Sequence, residues 1–321
     1  MLNLKGISMP ITLDCNIHCK YCFRDKCNVH KLPELTADMV DYIKNCSSEN
    51  CSIFTITGGE PFLCFDKIKE LFSYVDKNIH KKIVTNGTLL TQEIVDYVNE
   101  NQIELQVSHD GPKTEFLRGI DILKSENLRN LLFQVKKLSI SSVITRYNTD
   151  IWENFFDICT RLGRKDFKYK IGLFVDVPGQ EDLIYNFNYK EWFITMMEFS
   201  CSDFNLSRFD KRNVSTSGFD ILPNGTVCSC MDVSRNYGSI YTESVEEIHK
   251  KMALDGDKDY CVRSHCKHHG SCFFNPYGAS EHLCRCRRMI MDFRKDRRNI
   301  QNLRMYINQH LDEIEKKYTA V

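Results

Sequence analysis

Three cysteines near the start of the chain have the spacing of metal ligands. Cys15, Cys19 and Cys22 form the pattern C-x3-C-x2-C on a short loop that directly follows an apolar run. A cluster of four irons is normally held by four thiolates, so three thiolates leave one iron open for a small chelating ligand. An open coordination position is typical of catalytic metals. A zinc loop is the alternative, because C-x2-C pairs are also common in zinc sites.

A second motif follows the next predicted strand. Residues Cys51–Thr57 are rich in β-branched and aromatic side chains and predict a buried strand. The strand runs into Gly58-Gly59-Glu60-Pro61. Paired glycines let the backbone approach a ligand closely, and an adjacent carboxylate can pair with an ammonium group. The motif therefore indicates a binding site for a ligand that carries an amino group.

Together the two motifs resemble the signature of the radical S-adenosylmethionine (SAM) superfamily. The resemblance implies that the three cysteines hold a 4Fe-4S cluster whose open iron binds the amino and carboxylate groups of SAM. It also implies that the reduced cluster cleaves SAM and releases a 5'-deoxyadenosyl radical. The residues implied to contact SAM here are the aromatic residue before the last cysteine and the second motif, which are Tyr21, Gly58, Gly59, Glu60 and Pro61.

Strands and helices alternate through the first half of the chain, which predicts a parallel sheet with right-handed crossovers. The predicted strands are Ile7–Leu13, Ser52–Thr57, Lys82–Thr85, Ile103–Ser108, Leu138–Thr145 and Lys168–Val175. Thr91 and Asp66 are the predicted N-caps of two intervening helices. Apolar residues recur at three- and four-residue steps from Ile290 to Ile314 and predict a long terminal helix that packs on the barrel. We therefore expect an α/β fold, the partial (β/α)6 TIM-like barrel of radical SAM proteins.

The loop after the fourth predicted strand is a further candidate for the site. In a βα barrel the loops that follow the strands share one face, and that face carries the site. This loop reads Ser108-His109-Asp110-Gly111-Pro112 and resembles the Ser-x-Asp-Gly-Pro element of the family. By that match Ser108 contacts the methionine carboxylate or the ribose of SAM, and Asp110 lies near the substrate as a candidate catalytic group. A plain turn is the alternative reading of this loop.

The second half of the chain changes in composition and marks a second domain. We expect a barrel at residues 1–205 and a smaller cysteine-rich domain at 206–321. Asn224-Gly225 between two apolar runs predicts a β-hairpin at its start. Sixteen cysteines in a chain without the layout of a signal peptide argue for metal ligands and a reducing cytoplasm, not for disulfides.

The cysteine-rich tail resembles the SPASM domain or its shorter twitch form, which hold auxiliary 4Fe-4S clusters. The candidates for one auxiliary cluster are Cys261, Cys266, Cys272 and Cys286, and those for a second are Cys228, Cys230 and Cys284. The spacing departs from the family pattern, and seven thiols fall one short of two full clusters. A zinc ribbon is the rival, although the tail lacks the short C-x2-C-like pairs that zinc usually requires.

The tail also suggests the substrate, because SPASM and twitch extensions in this family are associated chiefly with modification of peptides and proteins. The resemblance implies a maturase of ribosomally made peptides that installs a thioether or carbon–carbon cross-link or epimerises a residue. Formylglycine formation in sulfatases is an alternative, but Met231 stands where sulfatase-maturing relatives carry an aspartate. Asp232, one residue further, is the candidate base. A small-metabolite substrate and a non-catalytic iron–sulfur or zinc protein are the remaining alternatives.

The expected partners follow from the resemblance and from the charge balance. A peptide or protein substrate and an electron donor such as flavodoxin or ferredoxin are expected. Fewer than ten residues precede the first predicted strand, so we expect either that a separate protein binds any leader peptide or that recognition rests on the rim of the barrel and the tail. A formal net charge of zero and the lack of any run of about 18 apolar residues argue against nucleic-acid and membrane partners.

Overall fold

The computed structural model describes the parallel sheet, the helices around it and parts of the C-terminal region. The described residues are 6–22, 40–41, 44, 53–174, 179–204, 218–221, 225–229, 232–244, 246–248, 250–251, 285–286, 289–290, 292–293 and 297–319. Five of the predicted cluster ligands lie outside these ranges, namely Cys230, Cys261, Cys266, Cys272 and Cys284.

Six parallel strands form the sheet that the strand–helix alternation predicts. They are β1 Gly6–Pro10, β2 Ile53–Thr57, β3 His80–Thr85, β4 Glu104–Ser108, β5 Leu138–Ile144 and β6 Lys168–Leu173. Each strand pairs in parallel with the next along the chain, which gives the order β6-β5-β4-β3-β2-β1. The predicted α/β partial barrel is thereby confirmed, with β1 and β6 ending earlier than predicted.

Helices pack on one face of this sheet and leave the other face to polar residues. The helices of the barrel region are α1 Phe65–Tyr74, α2 Gln92–Glu100, α3 Thr114–Arg118, α4 Glu126–Gln134, α5 Ile151–Leu162 and α6 Tyr189–Cys201. Leu105 and Val107 of β4 are fully buried in the hydrophobic core that these helices share with the sheet. Because side chains alternate along a strand, Glu104, Gln106 and Ser108 point to the opposite, concave face.

Two helix starts test the capping predictions. The hydroxyl of Thr91 accepts a hydrogen bond from the Ile94 amide, so Thr91 caps α2 as predicted. The prediction that Asp66 caps α1 is wrong. A 3-10 turn over Pro61–Cys64 leads directly into α1, and Asp66 therefore falls within the first helical turn. Its carboxylate there still interacts favourably with the helix dipole.

The predicted hairpin extends the barrel sheet. Strands β7 Gly218–Ile221 and β8 Thr226–Ser229 pair antiparallel, and Gly225 between them has a φ of 77°. A further strand, β9 Asp232–Ser239, pairs antiparallel with β8. Because β7 pairs in parallel with β1, the cysteine-rich half begins as a continuation of the sheet, on the edge strand that leads into the cysteine loop.

The predicted C-terminal helix is divided at His310 into α7 Arg297–Gln309 and α8 Leu311–Thr319. The His310 ring nitrogen Nδ1 lies 2.8 Å from the carbonyl oxygen of Tyr306 and competes with the backbone for that acceptor. The predicted packing on the barrel is confirmed, since Tyr318 of α8 stacks on Phe156 of α5. No helix in the described part of the chain combines the length and apolar composition that a membrane crossing requires.

Candidate active site

The cysteine loop is fixed to the loop after β2 by backbone contacts. The amide of Gly59 donates to Thr12 O at 2.6 Å, and the amide of Glu60 donates to Asp14 O at 2.8 Å. A Cβ atom on Gly59 would lie 2.0 Å from Asp14 O, and one on Gly58 would lie 2.6 Å from Thr12 O. The paired glycines are therefore required for the close approach of the two loops.

The carboxylate of Glu60 ties together the loops after β2 and β3. The residue is fully buried, and its oxygens accept hydrogen bonds from Thr85 Oγ1 at 2.7 Å, Asn86 N at 2.8 Å and Phe62 N at 3.1 Å. Pro61 begins the 3-10 turn that Glu60 caps. A buried carboxylate with several fixed donors holds one geometry, so Glu60 places the Gly-Gly backbone in a defined position.

The three thiols of the loop are half-buried and two of them receive hydrogen bonds from neighbouring loops. Asn86 Nδ2 donates to Cys15 Sγ at 3.7 Å, and Arg118 Nη1 donates to Cys19 Sγ at 4.0 Å. Burial raises the pKa of the Cys19 thiol to about 11, and the positive charge of Arg118 acts in the opposite direction. Bound iron would hold both sulfurs as thiolates, which these N–H donors would stabilise.

The donor set fits an iron–sulfur cluster better than a single ion. In the part of the chain that the structure describes, no three His, Cys, Asp or Glu side chains converge around one metal position. A four-iron cluster places each thiolate on a different iron, so its ligands need not converge. Soft thiolates with N–H donors to sulfur are the environment that such clusters use.

A buried ionic network lies beneath the cysteine loop. Asp110 accepts hydrogen bonds from Tyr21 OH at 2.5 Å, Arg118 Nε at 2.7 Å, Arg118 Nη2 at 3.4 Å and Val143 N at 2.8 Å. The guanidinium of Arg118 also lies over the Tyr21 ring, 5.2 Å from its centroid. All three side chains are buried, and burial raises the pKa of Tyr21 well above its usual range.

This network changes the role that the sequence suggests for Asp110. The carboxylate is fully buried and receives four hydrogen bonds, so its lone pairs are occupied by protein donors. A carboxylate held in this way supports its neighbours and is poorly placed to take a proton from a substrate. Sequence reasoning missed Arg118, because eight residues separate it from Asp110 and only the turn into α3 brings the two together.

The remaining predicted residues occupy different parts of the fold. Ser108 ends β4 on the concave face, half-buried, and its hydroxyl makes no hydrogen bond to any described residue. Cys228 lies on β8 and Asp232 begins β9. Cys286 is fully buried within the main hydrophobic core. The other predicted ligands of auxiliary clusters lie outside the described ranges.

A sequence model of the Radical SAM superfamily matches residues 9–182, which include the end of β1, the cysteine loop and strands β2 to β6. The chain belongs to this family. Radical SAM proteins are enzymes that use a 4Fe-4S cluster and S-adenosylmethionine, and this chain is such an enzyme.

Three relatives of known sequence are similar to this radical SAM chain. An uncharacterized protein of Methanocaldococcus jannaschii is 28% identical over 189 residues, which are 52% of this chain and 63% of that protein. A cysteine-type anaerobic sulfatase-maturating enzyme of Clostridium perfringens is 28% identical over 274 residues, 72% of each chain. An AdoMet-dependent heme synthase of Nitratidesulfovibrio vulgaris is 26% identical over 172 residues, 50% of this chain and 46% of that enzyme.

Two solved structures share the fold. The enzyme anSMEcpe, solved with AdoMet and the Cp18Cys peptide, superposes with a TM-score of 0.63 at 18% identity, over 94% of this chain and 100% of that one. SuiB of Streptococcus suis, solved with its precursor peptide SuiA, gives a TM-score of 0.60 at 16% identity, over 77% of this chain and 65% of that one. At these identities the likeness concerns the fold alone.

Proposed function

We propose that this radical SAM enzyme modifies a peptide, most simply as a maturase of a ribosomally made peptide. The observation that carries the proposal is the junction of the two motifs, in which the loop of Cys15, Cys19 and Cys22 is held against Gly58-Gly59 by backbone hydrogen bonds. The bound cluster and SAM together supply, on one-electron reduction, a 5'-deoxyadenosyl radical that abstracts a hydrogen atom from the substrate. Cross-linking through a thioether or carbon–carbon bond, or epimerisation, is the proposed outcome.

The residues around the junction have separate roles in this proposal. The three cysteines hold the cluster, and the backbone of Gly58 and Gly59, fixed by Glu60 and Pro61, receives the amino group of SAM. Ser108 contributes a hydroxyl at the end of β4, without a hydrogen bond to any described residue, for the methionine carboxylate or the ribose. Tyr21, the aromatic residue before the last cysteine, contacts SAM in this proposal, and its hydroxyl donates a hydrogen bond to Asp110.

In this proposal the cysteine-rich tail holds the auxiliary 4Fe-4S clusters. The ligands of one cluster are Cys261, Cys266, Cys272 and Cys286, and those of a second are Cys228, Cys230 and Cys284. Asp232 serves as the base that receives a proton from the substrate. Its support is its position at the first residue of β9, two residues after Cys230 in the sequence.

A peptide substrate is supported by the fold-level likeness to two structures solved with peptides. The peptides are Cp18Cys for anSMEcpe and the precursor peptide SuiA for SuiB. The partners that we propose are the peptide, possessing a leader bound by a separate protein, and an electron donor such as flavodoxin or ferredoxin.

Sulfatase maturation is the second candidate function. Its support is the alignment with the cysteine-type sulfatase-maturating enzyme of Clostridium perfringens, which spans 72% of both chains. Met231 argues against it, because it replaces the aspartate that the sulfatase-maturing pattern has at this position.

Deuterium transfer tests the substrate class. The reconstituted, reduced enzyme is incubated with SAM and with side-chain- and Cα-deuterated peptides encoded beside its gene, with a deuterated cysteine peptide from a sulfatase, and with deuterated free amino acids and sugars. Deuterium in 5'-deoxyadenosine from a neighbouring-gene peptide supports the maturase. Deuterium from the sulfatase peptide, with formation of an aldehyde, selects the second candidate. Transfer from a free amino acid or sugar alone overturns both.

A further inference from the structure

The concave face of the barrel sheet carries an excess of positive charge. Lys82 of β3 and Lys168 and Lys170 of β6 surround a single carboxylate, that of Glu104 at the start of β4. Three lysines face one carboxylate, which gives the cluster a formal charge of about +2 when all three lysines are protonated. Water still reaches the Lys168 and Lys170 side chains, which are 48% and 32% exposed, so an anion from outside the chain can also reach this excess of positive charge.

Both carboxylate oxygens of Glu104 already accept hydrogen bonds from the protein. Glu104 accepts hydrogen bonds from His80 Nε2 at 3.0 Å, Ser139 Oγ at 2.9 Å, Lys168 Nζ at 3.0 Å and Lys170 Nζ at 2.5 Å. Against the cost of burial, these donors hold the pKa of Glu104 well below its usual range. Glu104 has no acceptor capacity left for a further lysine.

Lys82 is the lysine left without an acceptor. Among the described residues, no carboxylate, carbonyl or hydroxyl oxygen lies within hydrogen-bonding distance of its Nζ atom. Burial, together with the neighbouring ammonium group of Lys170, lowers the pKa of Lys82 to about 7. A bound anion would remove this conflict by giving both ammonium groups a common acceptor.

Gln106 supplies a second, independent sign of a ligand on the same face. Its Nε2 donates to Ser141 Oγ at 3.1 Å, but its Oε1 is buried and accepts no hydrogen bond within the described residues. Buried polar atoms in folded proteins nearly always have partners. Oε1 is an acceptor and therefore needs a hydrogen-bond donor, which the backbone N–H of a peptide can supply and a deprotonated inorganic anion cannot.

These positions form a line that leads to the SAM site. Glu104, Gln106 and Ser108 alternate along one face of β4, so the line from the lysines to Ser108 covers about 13 Å. Lys82 pairs with Glu104 across the β3–β4 register, which places it at the far end of this line. An extended peptide of about four residues spans that distance.

We infer that the concave face binds an acidic residue of the peptide substrate, with its carboxylate on Lys82 and Lys170 and a neighbouring backbone N–H on Gln106 Oε1. This inference rests on the proposed peptide-modifying function and adds the chemistry by which the peptide is selected. It places the acidic side chain about four residues away from the residue that is modified at the SAM end of the line.

Binding without turnover tests the inference. A fluorescein-labelled, blocked peptide with one glutamate is titrated against the holoenzyme with SAM but without reductant, and the same peptide with glutamine in that position is the matched ligand. The expected result is that the glutamate peptide binds about tenfold more tightly, the gain expected of one charge-assisted hydrogen bond. Lys82→Met, which keeps the aliphatic stem, is expected to abolish the difference.

The exposed Lys136 provides the control, since Lys136→Met removes a lysine on a different part of the surface and should leave the preference intact. Equal binding of the two peptides to the wild type, or an unchanged preference in Lys82→Met, overturns the inference.

Acetylation of Lys82 gives a second readout. The protein is treated with a limiting amount of an amine-reactive acetylating reagent, with and without glutarate, and the acetylation of Lys82 is measured by mass spectrometry. If glutarate protects Lys82 from acetylation but no peptide binds, the anion site is retained and the proposed peptide-modifying function is refuted. Lack of protection by both glutarate and the glutamate peptide refutes the anion site itself.

Discussion

Arg118 Nη1 lies 4.0 Å from Cys19 Sγ, so a buried positive charge directly adjoins one of the three thiols of the cysteine loop. The same guanidinium is fixed from behind by Asp110, with Nε 2.7 Å from Oδ2. The charge therefore cannot swing away from the sulfur when the loop binds a cluster. Electrostatics and hydrogen bonds to sulfur are among the main determinants of cluster potentials.

Replacing Arg118 should make the loop's cluster harder to reduce. Reduction adds negative charge, which the adjacent guanidinium stabilises, so Arg118→Gln is expected to lower the midpoint potential. A tenfold change in the one-electron equilibrium corresponds to about 59 mV. The potential is measured by an EPR-monitored redox titration of the reconstituted protein, which does not depend on turnover.

Two further variants make the redox result interpretable. Arg118→Gln leaves the Asp110 charge buried and unpaired, so the double variant with Asp110→Asn is titrated beside it to restore a neutral pair. Arg304→Gln removes an exposed arginine, whose side chain is 64% exposed, and should leave the potential unchanged. An unchanged midpoint in both Arg118 variants would mean that the arginine does not tune the cluster.

Asp110 is expected to stabilise the fold and not to act as a base. Asp110→Asn should lower the free energy of unfolding by about 3–5 kcal/mol, because it leaves the Arg118 charge buried without its partner. Denaturant titration under anaerobic conditions measures the change. A general base would behave differently, since its loss would remove activity while stability stayed near that of the wild type.

The sequence identified the motifs of this site but not their contacts. The alternation of strands predicted the sheet, because period-2 burial is a local property of each segment. The Glu60 carboxylate, expected at the amino group of SAM, accepts hydrogen bonds from Thr85 and Asn86, which lie 25 and 26 residues away in sequence and which the motif did not predict as partners. Such pairs depend on how the loops of neighbouring strands meet, which spacing along the chain does not encode. Arg118 was missed for the same reason.

Gly59 should be the glycine least tolerant of a side chain. Gly59→Ala places a Cβ 2.0 Å from the backbone oxygen of Asp14, and backbone cannot move aside as a side chain can. The variant is expected to lose at least about 1–3 kcal/mol of stability and most of its iron. Gly163→Ala is the matched control, because that glycine has a φ of 74° but open space around its Cβ position. It should cost about 1 kcal/mol and leave the iron content unchanged. Equal iron content in the two variants would contradict the proposed role of the loop contact.

Lys82 should destabilise the folded state in a manner that depends on pH. Its pKa is about 7 when folded and 10.5 ordinarily, so the unfolded chain holds the proton more tightly. The destabilisation is complete below about pH 7 and disappears as the pH rises towards 10.5, because stability rises with pH wherever the unfolded state binds more protons. The titratable groups that face Lys82 are His80, Glu104, Lys168 and Lys170.

Lys82→Met is accordingly expected to raise the free energy of unfolding near pH 6 by roughly 1–3 kcal/mol and by much less near pH 10. Urea denaturation of both proteins across this range measures the difference. Lys136→Met, at an exposed position, should show no such trend. A constant difference between Lys82→Met and the wild type at all pH values would contradict the lowered pKa.

Cys15, Cys19 and Cys22 are expected to hold the cluster that cleaves SAM. The most direct measurement compares the anaerobically reconstituted wild type with the Cys15/Cys19/Cys22→Ala variant, by iron and sulfide content and by 5'-deoxyadenosine formed with SAM and dithionite. We predict a loss of about four irons, with iron retained in the tail, and 5'-deoxyadenosine from the wild type alone. Equal iron in the two proteins, or zinc in place of iron with no 5'-deoxyadenosine from the wild type, would show that these cysteines do not hold such a cluster.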